Sequence, residues 1–451
     1  MSDVATSVAL DKRAGNTARW ALAFVIGGLL LNLGFNLLVA SYGLGAPHDS
    51  QLFGHPFNSF LYDANDRFGD TLKMALTYPG PEVHPADPRW GLNGRLAAFE
   101  HHVGLLRGTQ INHFHMLPLS TLIGLGLRAA MSAMDPGWLL VIVLGGMAAT
   151  LAAVVGTAAP KGESRLLLII LALICYPALF AFDRGHLFSL ICASAVMAAT
   201  FRCLRDRRVD WVTILLFAIA LNIRPNAGLL PLGLFLCRKG VRFHDLIKIG
   251  FASLIIFLFG MLIAHQIYPP YSFESLREGL RDYSTIYVSG SGGQNYNSSL
   301  FGAIRGLYGY HRFTIVVPLL VQLAVLTGLA LACWRQRVPD AVFMFLLLSA
   351  YVLGGQVLLD YHLIVFVMPL VLLALNPLED RTNARIVMIG CCLLLIPKNY
   401  ISHVTEGRAD WTFQVIFNPL IMLLTSMFLL YRLFRFPTSQ VALGGRSEVT
   451  T

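Results

Sequence analysis

Charge is what this chain has least of: 13% of its 451 residues are Asp, Glu, Lys or Arg, against about 25% in an ordinary soluble domain. With 56% hydrophobic residues there is too little polar surface for folding in water. Cysteine is scarce too, and all seven (Cys175, Cys192, Cys203, Cys237, Cys333, Cys391, Cys392) lie in or beside apolar runs. The long polar stretches hold none, which excludes a disulfide framework, and no metal-binding spacing occurs. Also lacking are a glycine-rich phosphate loop followed by lysine and any repeat relating the two halves. The net charge of +9 does not point to nucleic acid, because the basic residues sit in dispersed clusters beside apolar runs instead of on one soluble face.

What is there is apolar sequence in runs of roughly twenty residues, the length a helix needs to cross about 30 Å of hydrocarbon. Helices are the expected spanning form, since backbone polar groups in lipid must be satisfied internally. Thirteen segments start near Trp20, His115, Gly137, Arg165, Leu187, Trp211, Ala227, Asp245, Phe313, Ala341, Tyr361, Arg385 and Phe413. The first is read as an uncleaved helix, being too long for a signal peptide and lacking a small-residue cleavage site.

Four basic clusters orient the segments by the positive-inside rule: Arg202/Arg205/Arg207/Arg208, Arg238/Lys239/Arg242, Arg335/Arg337 and Arg381/Arg385. With both termini on the cytoplasmic side the number of crossings is even. One of the three segments between His115 and Phe182 must then dip and return or merge with a neighbour. The expectation is an all-α polytopic bundle of about twelve crossings, one membrane domain over residues 1–451. Two long loops, 42–112 and 268–312, fall on the outer side.

In the first loop Asp63, Asp66 and Asp70 stand at i, i+3 and i+7, one face of a helix. Clustered carboxylates raise one another's pKa and suit one of them to proton transfer, with Arg67 in reach to hold another ionised. The same pattern also fits a solvated helix face with Asp63 or Asn65 as its cap. His113 and His115 precede the second apolar run, where two histidines are too few for a metal and interfacial anchoring is the competing role.

Further along, Asp183-Arg184-Gly185-His186 separates two apolar runs, and Arg224-Pro225-Asn226 breaks another. Arginine is costly among apolar helices, so Arg184 and Arg224 read either as snorkelling side chains at turns or as a clamp for a lipid-linked phosphate. The stretch from Ser289 to Ser299, with Asn295, Tyr296 and Asn297, offers glycine flexibility and amide groups suited to sugar hydroxyls. Asp360-Tyr361-His362 is a last outer-side polar break, expected to act mainly as a cap.

These pieces, in this order, resemble the polyprenyl-phosphate-dependent glycosyltransferases of the GT-C fold, in particular glycosyltransferase family 87, a mannosyltransferase-like group. The matching features are the stretch ending in Asp70, the Asp183-Arg184-Gly185-His186 motif, the Arg224-Pro225 break and the loop from Asn295 to Ser299. The family commonly has Arg-Gly-Gln at the second and lysine before the proline at the third; this chain keeps the charge at Arg224 and a hydrogen-bonding group at His186. The resemblance implies inverting transfer of a sugar from a polyprenyl-phosphate donor to a lipid or glycan acceptor at the outer face of a bacterial inner membrane. It implies Asp70 as base, with Asp63 and Asp66 behind it, and no metal or cofactor. Arg67, His113, His115, Arg184, His186, Arg224, Asn295, Asn297, Tyr361 and His362 become the expected substrate-binding residues. The competing class is a transporter or flippase of lipid-linked saccharides.

Overall fold

A computed structural model describes residues 2–41, 116–134, 136–289, 297–376, 378, 380–398, 402–403, 411–412 and 414–436. Asp63, Asp66, Arg67, Asp70, His113, His115 and Asn295 lie outside the described residues.

Every one of the thirteen apolar segments is helical. In chain order the α-helices are α1 (Ser2–Ser41), α2 (Pro118–Ala133), α3 (Pro136–Ala158), α4 (Glu163–Ile174), α5 (Tyr176–Arg184), α6 (Leu187–Asp206), α7 (Trp211–Ile223) and α8 (Leu229–Leu236). They continue with α9 (Phe243–Ile267), α10 (Phe273–Tyr283), α11 (Leu300–Tyr308), α12 (Arg312–Arg335), α13 (Asp340–Leu353), α14 (Val367–Leu375), α15 (Arg381–Leu395) and α16 (Gln414–Arg435). Short 3₁₀ turns cover Pro225–Gly228 and Asp360–Phe366, a π turn covers Ser284–Ser289, and β1 (Ser402–His403) pairs antiparallel with β2 (Trp411–Thr412).

Six helices among the described residues are long and apolar enough to cross a membrane, seven if the bent pair α4–α5, angled by 49°, is one span. The remaining apolar helices are shorter. The three segments expected to hold the irregularity comprise the 16-residue α2, the full-length α3 and the bent pair, so two of the three depart from a simple span.

Apolar runs of similar composition end up in opposite environments. From Ala341 to Leu353, α13 is at most 4% exposed at every position. Apolar on all sides, it is wrapped by protein on all sides. The equally apolar α9 is buried over only 17% of its best window and turns Phe251, Leu258 and Phe259 outward. Leu30 and Leu31 of α1, Leu320 and Leu323 of α12 and Leu424 and Met427 of α16 are likewise exposed. An apolar surface this broad has lipid as its solvent, and the chain is a multi-pass helical membrane protein. The buried stripe of α1 is Ala14, Ala18, Ala21 and Val25, small residues that let it approach α4 and α14 closely.

The helices run between two chemically different ends. From His186 to Arg207, α6 covers about 30 Å. The chain then returns from Asp210 along α7 to Arg224, goes back through α8 to Arg238 and Lys239, and rises again in α13 from Asp340 to the break before Asp360. At one end lie the basic clusters. Arg207 and Lys239 share Asp340 at 2.8 and 2.7 Å, Arg432 pairs with Asp380 at 2.8 Å, Arg202 pairs with Asp210, and Gln336 donates to the Leu433 carbonyl at 2.6 Å. At the other end lie His186, Arg224, Asn297 and the Asp360 turn.

Candidate functional site

Each helix ends where its sequence stops being able to continue. After Arg184, Gly185 takes the left-handed conformation at φ 63° and closes α5 through its N–H to the Ala181 and Phe182 carbonyls, a position that disfavours any side chain. The next residue, His186, caps α6: Nδ1 accepts from the Ser189 N–H at 3.2 Å. That bond fixes the neutral tautomer with its proton on Nε2. Burial first, and then the charge of Arg224, push the His186 pKa down to about 3.

Arg224 caps the C-terminal end of α7 because Pro225 cannot continue the helix. Its guanidinium donates to the Ser189 hydroxyl at 3.4 Å and has no carboxylate partner among the described residues. The Arg184 guanidinium lies 5.6 Å from the centre of the Phe180 ring, and Arg305 of α11 is 4% exposed.

An aromatic column joins the motifs. Tyr176, Phe180 and Tyr361 stack at 5.7 and 5.8 Å between ring centres, and the Tyr361 ring is 4.2 Å from His186 and 4.7 Å from His362. The Nδ1 of His362 lies 3.1 Å from the Leu359 carbonyl. A carbonyl only accepts, so Nδ1 carries the proton and Nε2 presents its lone pair, which is buried and has no hydrogen-bond partner among the described residues. The two imidazoles therefore differ in the atom left over, an N–H at His186 and a lone pair at His362, and both lie next to one tyrosine ring.

Below this column Asp360 forms a hub, not the expected cap: no side-chain cap bond starts the 3₁₀ turn, whose N-cap is Leu359. The carboxylate is wholly buried. It accepts from Tyr176 Oη at 3.3 Å, Asn418 Nδ2 at 3.2 Å, Ser298 Oγ and Gln414 Nε2. Burial pushes the Asp360 carboxyl up, towards its neutral form, and the four donors oppose that push. The buried Lys398 supplies a neighbouring positive charge and donates to the Leu393 and Ile396 carbonyls at 2.6 and 2.7 Å. Burial pushes the Lys398 ammonium down and Asp360 opposes it.

Asn297 is held inside the protein. Its Nδ2 donates to the Gln356 carbonyl at 2.7 Å, and its Oδ1 accepts from Leu358 N, Ser299 N and Ser299 Oγ at 3.2, 3.1 and 2.8 Å. The amide thus clips the start of α11 to the turn before Asp360. Gly302 permits this approach, since a Cβ there would meet the Asn297 carbonyl at 2.6 Å.

Of the sequence-predicted residues, Arg184, His186, Arg224, Asn297, Tyr361 and His362 come together at one end. Sequence reasoning passed over Tyr176, Ser189, Arg305, Lys398, Gln414 and Asn418. For the last two there was a signal: amide side chains at i and i+4 opening an apolar helix, a placement that polar residues in membranes seldom take without a partner. No protein-family profile, no curated protein and no solved structure matches the chain.

Proposed function

We propose that this protein is a membrane glycosyltransferase that moves a sugar from a polyprenyl-phosphate donor to a lipid or glycan acceptor on the non-cytoplasmic face, with inversion. The observation that supports it is Arg224, a guanidinium without a carboxylate partner among the described residues, set beside neutral His186 at the end opposite the basic clusters. By the positive-inside rule that end faces outward. The proposal includes a GT-C-like arrangement of about twelve crossings, with the shorter apolar helices reaching across inside the bundle, in a bacterial inner membrane.

In this reading the acceptor oxygen attacks the anomeric carbon while a carboxylate takes its proton. The bond from that carbon to the phosphate oxygen breaks, and the electron pair leaves on the phosphate. Arg224, and Arg184 beside it in the motif order, meet the growing charge with charge-assisted hydrogen bonds. The base assigned by the family resemblance is Asp70. The lipid tail lies among the helices, which accounts for an embedded enzyme.

A flippase is the second reading, and the observation favouring it is the interior Asp360–Lys398 pair at the break between α13 and α14, since buried charges in transporters mark ion or substrate paths. One assay separates the two. Purified protein in proteoliposomes is given radiolabelled polyprenyl-phosphate sugars and an acceptor extract. Label transferred to a new lipid or glycan supports the transferase; unmodified donor moved across the bilayer supports the flippase and overturns it.

A further inference from the structure

Arg305 is a buried charge with incomplete partners. It sits in the short helix α11, is 4% exposed, and faces the Phe301 ring at 5.9 Å. Its Nη1 donates to the Tyr287 carbonyl at 2.7 Å, while its Nη2 is buried and has no hydrogen-bond partner among the described residues. No carboxylate pairs with it among the described residues.

A lysine in this position would escape by losing its proton; arginine does not. An uncompensated buried guanidinium is costly, and one carbonyl with one aromatic face offsets only part of that cost. The fork geometry of a guanidinium, with one arm fixed and the other open, fits an incoming oxyanion.

The surroundings say where that anion belongs. The Tyr287 ring stacks on Tyr283 at 4.6 Å between centres, and Tyr283 feels the charge of Arg224, which opposes the upward push of burial on its phenol. The segment that holds the Arg305 guanidinium through the Tyr287 carbonyl thus lies within the electrostatic reach of Arg224, and neither arginine has a carboxylate partner among the described residues. Two other buried cations are more fully partnered: Lys239 has Asp340 and the Val338 carbonyl, and Lys398 has two carbonyls and the field of Asp360.

We propose that Arg305 forms a second oxyanion site, separate in its contacts from Arg224, that takes a phosphoryl group of the bound ligand. Either a single ligand with two phosphoryl groups bridges the arginines or donor and acceptor each bring one. The inference rests on the glycosyltransferase reading only in choosing phosphate as the oxyanion; the buried, half-partnered guanidinium stands without it.

The test uses the full chain in lipid nanodiscs, with wild type, R305Q, R305K and R224A, and three probes: a long-chain prenyl phosphate, the corresponding prenyl diphosphate and inorganic pyrophosphate. R305Q is expected to weaken at least one of them about 10- to 100-fold, the range for a lost charge-assisted bond, with part of the affinity kept in R305K. Loss confined to the two prenyl probes identifies an amphiphile as the source of the phosphoryl group; loss of pyrophosphate binding as well identifies the phosphoryl group alone. Thermal stability is followed in parallel, because removal of an uncompensated buried charge leaves it unchanged or raised. If R305Q lowers the melting temperature while all three affinities stay at wild-type values, Arg305 is a structural residue and the proposal falls. It falls equally if the wild type binds none of the probes. Should R224A retain sugar transfer while R305Q loses phosphate binding, the donor clamp at Arg224 is wrong and the second site stands.

Discussion

The two ends of the helical bundle use arginine and lysine in opposite ways. At the basic end Arg207, Lys239, Arg202 and Arg432 each reach a carboxylate, and Asp340 serves two of them. Those pairs tie α6, α13 and α16 to the turns beside them. At the other end Arg224 and Arg305 donate, among the described residues, to a hydroxyl and a carbonyl, and the His362 Nε2 is buried without a hydrogen-bond partner there. The first arrangement pairs each of these charges with a carboxylate and reads as architecture. The second leaves hydrogen-bonding capacity directed at something other than protein, which is what a site for an anionic, hydroxyl-rich ligand requires.

The largest effect that bears on this contrast is catalytic. Asp70→Asn keeps the size of the side chain and removes its ability to take a proton, so sugar transfer should fall about 10²- to 10⁴-fold with donor binding intact. Milder losses are expected for Asp63→Asn and Asp66→Asn. Near-normal turnover in Asp70→Asn with an inactive neighbour would reassign the base; full activity in all three would remove the carboxylate from the mechanism.

Next comes the same truncation made at both ends. Lys239→Ala leaves Asp340, whose side chain is 14% exposed, with Arg207 alone and should destabilise the protein by about 3 kcal/mol, the lower end for a broken buried pair. Arg224→Ala should leave the melting temperature unchanged while weakening donor use by about 1.5 to 3 kcal/mol. Equal destabilisation by both would erase the distinction between a satisfied and an open end.

The smallest effect concerns pH. The folded pKa of His186 lies at about 3, below the ordinary value near 6.5, so the fold favours the neutral ring. The stability this contributes is full above about pH 6.5 and is lost as pH falls from there towards 3, reaching about 2 kcal/mol of loss at pH 5. His186→Gln should flatten the melting temperature over that window. An identical acid sensitivity in the variant would mean that another group carries it.

Much of the architecture was legible in advance because lipid imposes it. Thirteen apolar runs became helices, the breaks at Gly185 and Pro225 fell where a left-handed cap and a missing N–H demand them, and the cysteines stayed buried or partly buried and unpaired. The number of full crossings was not legible. An apolar run states only that a segment avoids water, and α13 avoids it inside protein while α9 avoids it in hydrocarbon. In the site, Arg184, His186 and Arg224 stood out because charge amid apolar sequence is costly. Asp360 was misread as a cap, since its four donors come from α5, α16 and the segment before α11, between 54 and 184 residues away.

By itself the sequence determined the solvent, the helical form and the segregation of basic turns from polar ones, all of which follow from local composition acting against a fixed slab of hydrocarbon. Only the tertiary structure decided which helix is the centre, which carboxylates neutralise which arginines, and which guanidiniums are left over. Partnership between charges depends on distances of about 3 Å between residues a hundred or more positions apart, as for Lys239 and Asp340, and no local pattern encodes it. Arg305 was hidden for that reason: in sequence it is one basic residue near a helix end, and only the packing around α11 buries it without a carboxylate partner among the described residues.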